Sequence, residues 1–272
     1  MATKRTACTP PTPVTEECEF SPWKLSSRKS HILPSKCSRG SCGDGEGVEV
    51  CYICQYHRSL TLPHLPDMVF PDNILRIQHS DSGVGLEFNA LDALKLVNDK
   101  EDLVKVAVAE AWKEARAELN VSQKVSHPFD WTFTSDYRGT LLGDLKVTPT
   151  ELRIDMEKLK QKERILFFDE IHLYEDELAD HGCASCSIKI RAMPSGFFVL
   201  LRFYLRVDDV LIRINDTRLY YETSNSYMLR EYTSRESRTK DLKVPRVFWG
   251  DPNEISQHLP LVHSIYEKLE LP

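Results

Sequence analysis

Cysteine and histidine residues concentrate in a Gly- and Ser-rich segment near the N-terminus, and zinc prefers thiolate and imidazole ligands. Four residues follow one another in an order that could coordinate zinc, namely Cys42, Cys51, Cys54 and His57, with Cys37 as an alternative ligand. The wide separation of the first ligand fits none of the usual templates, which place ligands in two closely spaced pairs. The segment is either a zinc-dependent interaction module or a flexible loop with free thiols, and we assign no metal ligands from the sequence.

An acid-rich stretch offers carboxylates for a divalent cation or for acid–base chemistry. It contains Glu175, Asp176, Glu177, Asp180 and His181. A metal-dependent hydrolase would use Glu175, Asp176 and His181, and these side chains would have to converge in one pocket. Runs of charge are more often solvated loops, and this spacing is not diagnostic of a ligand set.

A C-x-x-C pair, Cys183 and Cys186, follows directly, at the start of a predicted strand. Such a pair indicates redox chemistry only in a thioredoxin-like context, and no βαβ pattern precedes it. The sequence also contains no P-loop, dinucleotide-binding turn, nucleophile elbow or H-E-x-x-H helix. The residues therefore favour a protein that is not an enzyme and has no cofactor.

Polar side chains gather where two strongly apolar strands end. Alternation along a strand puts Arg213, Asn215 and Thr217 on one surface and Ile214, Asp216 and Arg218 on the other. Arg230 and Tyr232 follow soon after. Arg and Tyr beside apolar side chains are typical of a peptide-binding groove. The alternative is a structural network that satisfies buried strand ends.

The elements that must position these residues form a central hairpin. Residues 197–207 are apolar and rich in aromatic and β-branched side chains, as in a strand buried on both faces. Asp208-Asp209 breaks this run, and a period-two pattern resumes at Val210. The pattern predicts two antiparallel strands joined by a two-residue acidic turn.

The rest of the chain predicts further strand pairs and a few helices. We expect a hairpin over residues 73–89, a helix capped by Asn89, a second helix from Asp102, a strand over 127–137 and a strand over 166–174. Residues 233–238 are predicted as an exposed loop, and 253–269 as a terminal helix. Antiparallel pairs without βαβ alternation indicate an α+β fold.

Composition limits the class of protein. The chain has 272 residues, 41% of them hydrophobic and 28% charged, and a formal net charge of −6, which argues against nucleic acid as a partner. No apolar stretch reaches the length of a membrane span, and the N-terminus lacks the apolar part of a secretory signal. We expect a cytosolic protein, with the nucleus as a second compartment, that is a monomer with a disordered tail over 1–18 and a single domain over 19–272.

Seven segments in consistent order, from about Phe20 to Leu271, resemble the TIP41-like family of TOR-signalling regulators. They are LPDMVFPDNILRIQH, LEFNALDAL, FDWTFTSDYRGTLLG, FFDEIHLYEDELADHG, IKIRAMPSGFFVLLRFYLRVDDVLIRINDTRLYYE, MLREYTSRES and NEISQHLP. The resemblance implies a non-enzymatic regulator that binds the catalytic subunits of type 2A protein phosphatases and of the related type 4 and type 6 enzymes. It further implies sandwich-like antiparallel sheets with flanking helices around a cleft, which the C-terminal tail of the phosphatase enters.

The resemblance also implies partner contacts at matched positions. These are Asp92 in NALDAL, Ile154 in LRIDMEKL, Asp216 in INDTR and Tyr232 in REYT. Ile214 stands where close relatives often carry Met, so this position stays apolar but becomes stiffer. Because the phosphatase tail ends in aromatic and aliphatic residues with a free carboxylate, we expect Arg213, Arg218 or Arg230 to pair with that carboxylate.

The Cys- and Gly-rich loop at about 35–59 departs from the family pattern, in which a helical stretch stands between the positions of Cys37 and His57. The segment is either a lineage-specific insertion or an error of the gene model.

Overall fold

Thirteen strands form two antiparallel sheets in the computed structural model, which describes residues 12–42, 50–62, 64–97 and 133–271. The smaller sheet has five strands, in spatial order β1 (Val14–Phe20), β2 (Trp23–Lys29), β4 (Ile74–His79), β5 (Gly85–Asn89) and β6 (Thr140–Leu142). The larger sheet has eight, in spatial order β3 (Met68–Val69), β8 (Phe167–Asp176), β9 (Gly182–Met193), β10 (Gly196–Val207), β11 (Leu211–Glu222), β12 (Tyr227–Arg238), β13 (Leu261–Glu270) and β7 (Lys146–Pro149).

The two sheets pack face to face through apolar side chains of alternate residues. Trp23 is fully buried at this interface and makes edge contacts with the rings of Phe197 and Tyr221, at centroid distances of 5.8 and 5.4 Å. Aromatic pairs of this geometry add stability beyond the area that they bury. The side of the larger sheet that meets the smaller sheet is called its inner face below, and the opposite side is its outer face.

The outer face carries two small apolar clusters near opposite ends of the central strands. One consists of Ile154, Leu159, Met193, Tyr220 and Leu229. The other consists of Tyr204, Ile212, Ile214, Ile255 and Leu259. Between the two clusters, the outer face of β10 and β11 carries the polar side chains of Arg202, Asp216 and Arg218.

Within the described residues, four short helices flank the sheets. They are α1 (Tyr52–Ser59), α2 (Ala90–Lys95), α3 (Met156–Lys160) and α4 (Pro252–Ser256). Single-turn 3-10 segments cover Leu178–Asp180, Thr239–Asp241 and Arg246–Phe248. Three of the helices have a side-chain cap: Asn89 on α2, Asp155 on α3 and Asp251 on α4 accept first-turn amides that the helix itself leaves without a partner.

Most of the predicted elements are confirmed, including the α+β class, the central hairpin, the 73–89 hairpin and the helix capped by Asn89. The loop of the central hairpin contains three residues rather than two, because Val207 pairs with Leu211. Asp209 takes a φ of 60° in this loop, a left-handed conformation that Asp tolerates better than most residues.

Two predictions near the C-terminus were wrong. Residues 233–238 are not a loop but continue β12, and most of the segment predicted as a terminal helix is β13. The helix predicted there stops at Ser256, because the chain after Pro260 finds the open edge of β12 and pairs along it. Pairing with an existing sheet outweighs weak intrinsic propensity.

The bounds of the predicted domain stay a prediction. Val14 to Phe20 pair with β2, so β1 begins inside the predicted tail, and residues 1–11 of that tail lie outside the description. The predicted helix from Asp102 also lies outside it, as does most of the strand predicted over 127–137. The described end of that segment is no strand: Phe133 has a φ of 49°, and Ser135 forms one isolated bridge to Val97.

Candidate peptide-binding surfaces around the central hairpin

The outer face of the hairpin holds a buried carboxylate between two arginines. Asp216 lies on β11, and the Arg202 guanidinium on β10 makes a two-pronged contact with it, at 2.7 Å from Nε and 2.8 Å from Nη2. Arg218 adds a third bond, at 3.1 Å. The Asp216 side chain is only 3% exposed, whereas that of Arg218 is 26% exposed. We call these three residues the outer triad; with two cations and one anion, it carries a net positive charge.

An apolar groove lies beside the outer triad. It runs between α3 and the outer face of β8 to β10 and has a volume of about 310 Å³. Its apolar lining is Met156, Leu159, Phe168, Ile190, Phe198 and Leu200, and its cationic lining is Lys160, Lys189 and Arg191. Leu200 stands directly opposite Arg218 in the pairing of β10 with β11, so Arg218 neighbours one residue of the groove lining. This volume is at the small end of the range for ligand pockets. The arrangement can hold an apolar side chain next to an anion.

The two isoleucines predicted as partner contacts lie on the same face but are buried. Ile154 is 5% exposed in the apolar cluster beside α3, and its amide donates to Glu231 Oε1 at 2.7 Å. Ile214 is 1% exposed in the other cluster, under α4. In this conformation both side chains are packed inside the apolar clusters of the outer face and leave little of their own surface for a partner to contact.

The inner face of the larger sheet carries a second ionic group, at β12 and β13. Glu267 on β13 accepts from Arg230 Nε at 2.8 Å and from Arg138 at 3.1 Å. These three residues are called the inner triad. Burial outweighs the pairing with Glu267 and lowers the pKa of Arg230. Arg230 also reaches the carbonyl of Arg138, so the inner triad joins the segment before β6 to β12 and β13.

Tyr232 and Arg213 lie on the inner face as well. Tyr232 is 5% exposed, with the Arg138 guanidinium 6.0 Å from its ring centre, and burial raises its pKa to about 12. Arg213 pairs with Glu236 and donates to the Thr134 hydroxyl at 3.1 Å. Its charge is therefore already compensated.

Asp92 lies in the first turn of α2, next to the smaller sheet. Its carboxylate accepts from Asn89 at 3.0 Å, from Thr140 at 2.7 Å and from Lys95 at 3.1 Å. Partial burial raises its pKa, but these bonds together outweigh the burial, so the net shift of the pKa is downward. Asp92 ties α2 to β6 and keeps a partly exposed charge.

The eight predicted contact residues thus do not line one continuous cleft. Ile154, Ile214, Asp216 and Arg218 belong to the outer face, whereas Asp92, Arg213, Arg230 and Tyr232 belong to the inner side. The reason is alternation: neighbouring residues of a strand point to opposite faces. Their roles as partner contacts stay predictions.

A separate cluster of four thiols stands on the segment around α1. The sulfur atoms of Cys37, Cys42, Cys51 and Cys54 all lie within 4.8 Å of one another, and this is the one such group of potential metal ligands within the described ranges. The cluster includes Cys37, which the sequence offered as an alternative ligand. It does not include His57, which is exposed on α1.

The acidic stretch does not form the pocket that a hydrolase would need. Glu175 and Asp176 are neighbours on β8, so their carboxylates point to opposite faces. Asp176 is buried and accepts the amides of Leu178 at 2.7 Å and Asp67 at 3.0 Å. Burial raises its pKa to about 6 in spite of these bonds. Asp176 therefore holds two chain segments together.

Cys183 and Cys186 do not form a redox pair. Both lie within β9, three residues apart, so their side chains are on opposite faces of the strand. Cys186 is fully buried beside Tyr174, and burial raises the pKa of its thiol to about 12. A thiol of this kind is not reactive.

Sequence reasoning missed the residues that complete the two triads, namely Arg202, Arg138 and Glu267. Arg202 could have been found from the hairpin, because strand pairing fixes which residue lies opposite Asp216. The three-residue loop pairs Arg202 with Asp216, whereas the expected two-residue turn would have paired it with Asn215. Nothing in the sequence pointed to Glu267, since its segment was predicted as helix.

Comparison with known proteins shows the family. The model of the TIP41-like family matches residues 68–243. The chain belongs to the TIP41-like family. It is 53% identical to the human TIP41-like protein over 257 residues, covering 93% of this chain and 89% of the human one. It is 52% identical to the rat TIP41-like protein over 261 residues, covering 94% and 90% of the two chains.

Relatives in yeasts carry a name that states a role. The protein of Saccharomyces cerevisiae named "Type 2A phosphatase activator TIP41" is 32% identical over 265 residues, covering 88% of this chain and 70% of the yeast chain. A Schizosaccharomyces pombe relative with the same kind of name is 32% identical over 213 residues. In the part of the chain that the structure describes, no helix has the length and apolar character needed to cross a membrane.

Proposed function

We propose that this family member is a non-enzymatic regulator that binds the catalytic subunits of type 2A protein phosphatases, and of the related type 4 and type 6 enzymes, through their C-terminal tail. The names of the yeast relatives support a phosphatase as the partner. The diverging carboxylates of Glu175 and Asp176 support a role without catalysis. Such a regulator would act in TOR signalling.

The observation that carries this proposal is the apolar groove beside the outer triad. A tail that ends in aromatic and aliphatic residues with a free carboxylate needs an apolar recess next to a cation. The groove offers the rings of Phe168 and Phe198, and Leu200 lies between them and the outer triad. The outer triad has a cation in excess, so Arg218 can take the carboxylate while Arg202 keeps Asp216 neutralised.

Four of the predicted contacts lie on the inner side of the larger sheet and cannot share this groove, which is on the outer face. They are Asp92, Arg213, Arg230 and Tyr232. We propose that this inner side meets the body of the catalytic subunit rather than its tail. Asp92 and Arg138 are its partly exposed charges, with side chains 27% and 29% exposed.

The test is tail-peptide binding with a matched pair of variants. Phe168 lines the groove and is 54% exposed, whereas Phe248 is 39% exposed and lies outside it. We expect Phe168→Ser to weaken binding of a labelled C-terminal phosphatase peptide about tenfold, as for the loss of one partly buried aromatic contact. Phe248→Ser, which removes the same ring, should leave the affinity unchanged.

Two results would contradict the proposal in different ways. If the wild-type protein binds neither the peptide nor the intact catalytic subunit, the proposed function is wrong. If it binds both and Phe168→Ser binds as tightly as Phe248→Ser, the function stands and the groove is not the tail site.

A further inference from the structure

The four-thiol cluster around α1 has the geometry of a metal site. We propose that Cys37, Cys42, Cys51 and Cys54 bind one zinc ion as thiolates. The proposal does not depend on the phosphatase, because it rests only on the sulfur positions and on the groups around them.

The sulfur–sulfur distances fit ligands that share one metal ion. Four thiolates in a tetrahedron at the usual zinc–sulfur distance of about 2.3 Å stand about 3.8 Å apart. Here Cys37 and Cys42 are 3.8 Å apart, Cys42 and Cys51 are 3.5 Å apart, and no pair in the cluster exceeds 4.8 Å. A disulfide would require about 2.05 Å, and these thiols are free.

Backbone amides point at the sulfur atoms. The amide of Cys42 donates to the Cys54 sulfur at 3.3 Å, and that of Cys51 donates to the Cys42 sulfur at 3.4 Å. Two of the four sulfurs thus receive an N–H bond, which stabilises a thiolate more than a neutral thiol.

Basic groups on the same segment offset the charge of such a site. Zinc with four thiolates carries two net negative charges. The Arg58 guanidinium donates to the carbonyl of Cys42, which holds a cation against the cluster. Lys36 and Arg39 line a recess together with Cys37 and Cys51. The local charge therefore favours an anionic metal complex over four isolated thiolates.

The ligand set indicates a structural role for the ion. Four protein ligands fill a tetrahedral zinc ion and leave no position for water or substrate. Cys51 and Cys54 stand at the start of α1, whose opposite side buries Ile53 and Tyr56 in the main core. The ion would tie the segment from Cys37 to Cys42 onto this helix and so fix the Cys-rich loop to the domain.

Two features of the sequence made this ligand set difficult to predict. Cys37 and Cys42 are separated by four residues, wider than the C-x-x-C of a common zinc pair, and His57 offered a competing ligand. The Cys37–Cys42 segment closes because Gly40 takes a φ of 80° and its amide donates to the carbonyl of Cys37 at 3.0 Å.

The first measurement is the metal content of the full chain. The protein is produced without a polyhistidine tag, purified under reducing conditions and analysed for zinc by mass spectrometry. We expect one zinc ion per chain. Exchange for Co²⁺ should give a thiolate-to-cobalt charge-transfer band and the strong visible bands of a tetrahedral ion. Less than about a tenth of an equivalent of zinc, with no cobalt spectrum, would overturn the proposal.

Variants then identify the ligands. Cys54→Ser should lose the bound zinc, whereas His57→Ala and Cys18→Ser should keep it; Cys18 is a half-buried thiol on β1. Loss of zinc in His57→Ala with retention in a Cys37→Ser variant would replace the proposed ligand set. If Cys54→Ser does not fold, a thiol titration of denatured, metal-free wild type remains decisive. Fewer than four reactive thiols from these positions would mean disulfides and would end the zinc proposal.

Discussion

The outer and inner triads contain the same kinds of groups but differ in which member is buried. In the outer triad the acid is buried, with Asp216 3% exposed, and Arg218 reaches the surface at 26%. In the inner triad a cation is the most buried member: Arg230 is 6% exposed, and Glu267 is 15% exposed. A buried anion with a cation at the surface attracts anionic ligands, whereas a buried cation needs its own acid for stability.

The surroundings of the two triads differ in the same sense. Arg218 neighbours Leu200, one residue of the lining of the apolar groove. Arg230 and Arg138 instead hold the segment before β6 against β12 and β13, through Glu267 and a backbone carbonyl. The outer triad is therefore suited to binding, and the inner triad to holding the two-sheet structure together.

The most severe change expected is Asp216→Asn, which keeps the shape of the side chain but removes its charge. Two partly buried guanidinium groups would lose their anion, at a cost of about 3 kcal/mol in the free energy of unfolding. Urea denaturation measures this loss, and Asp144→Asn on an exposed loop is the control. A stability equal to that of the control would show that Asp216 does not anchor the outer face.

An Asp216→Leu variant would not separate an effect on binding from an effect on stability. Because the carboxylate is buried beneath two arginines, lost tail binding in that variant would follow from damage to the outer face as readily as from a lost contact. Exposed members of the triad and of the groove give the cleaner test.

Glu267→Gln should have a smaller effect, about 2 kcal/mol, since Arg138 is partly solvated and only Arg230 would be left as a buried, unpaired cation. The same urea measurement applies. Tail-peptide affinity should not change, because Glu267 lies on the inner face. A loss of affinity without a loss of stability would move the tail site to the inner triad.

The smallest effect expected is the most informative about binding. Arg218→Gln should weaken a tail peptide with a free carboxylate about tenfold and leave an amidated peptide almost unaffected, as for the loss of one charge-assisted hydrogen bond. Arg138→Gln, at similar exposure, is the matched inner-face control and should bind both peptides like wild type. The reverse pattern would exchange the roles of the two triads.

Local patterns predicted much of the framework correctly. The apolar run from Phe197 and the alternation after Val210 form β10 and β11, and Asn89 caps α2 through a bond of 2.8 Å to the Asp92 amide. Trp23 and Leu25, apolar residues that alternate with polar ones along β2, are both fully buried. Each of these features depends on neighbours in the chain, which is why sequence reasoning found it.

Features that depend on distant partners were the ones missed. The segment after Pro260 became β13 because the edge of β12 was open to it, and that pairing brought Glu267 to Arg230. In the four-thiol cluster, the closure of the Cys37–Cys42 segment makes Cys37, rather than His57, the fourth potential ligand.

The sequence by itself determined the strand-forming runs, the helix caps, the thiols available near α1 and, through its seven characteristic segments, the family. The tertiary structure decided on which face of the sheet each polar side chain lies. One additional residue in the loop after Val207 places Asp216 opposite Arg202 instead of Asn215, and a shift of one residue moves every side chain of a strand to the other face. Residue types are encoded locally, but the pairing that turns them into an outer and an inner triad exists only once the sheets have formed.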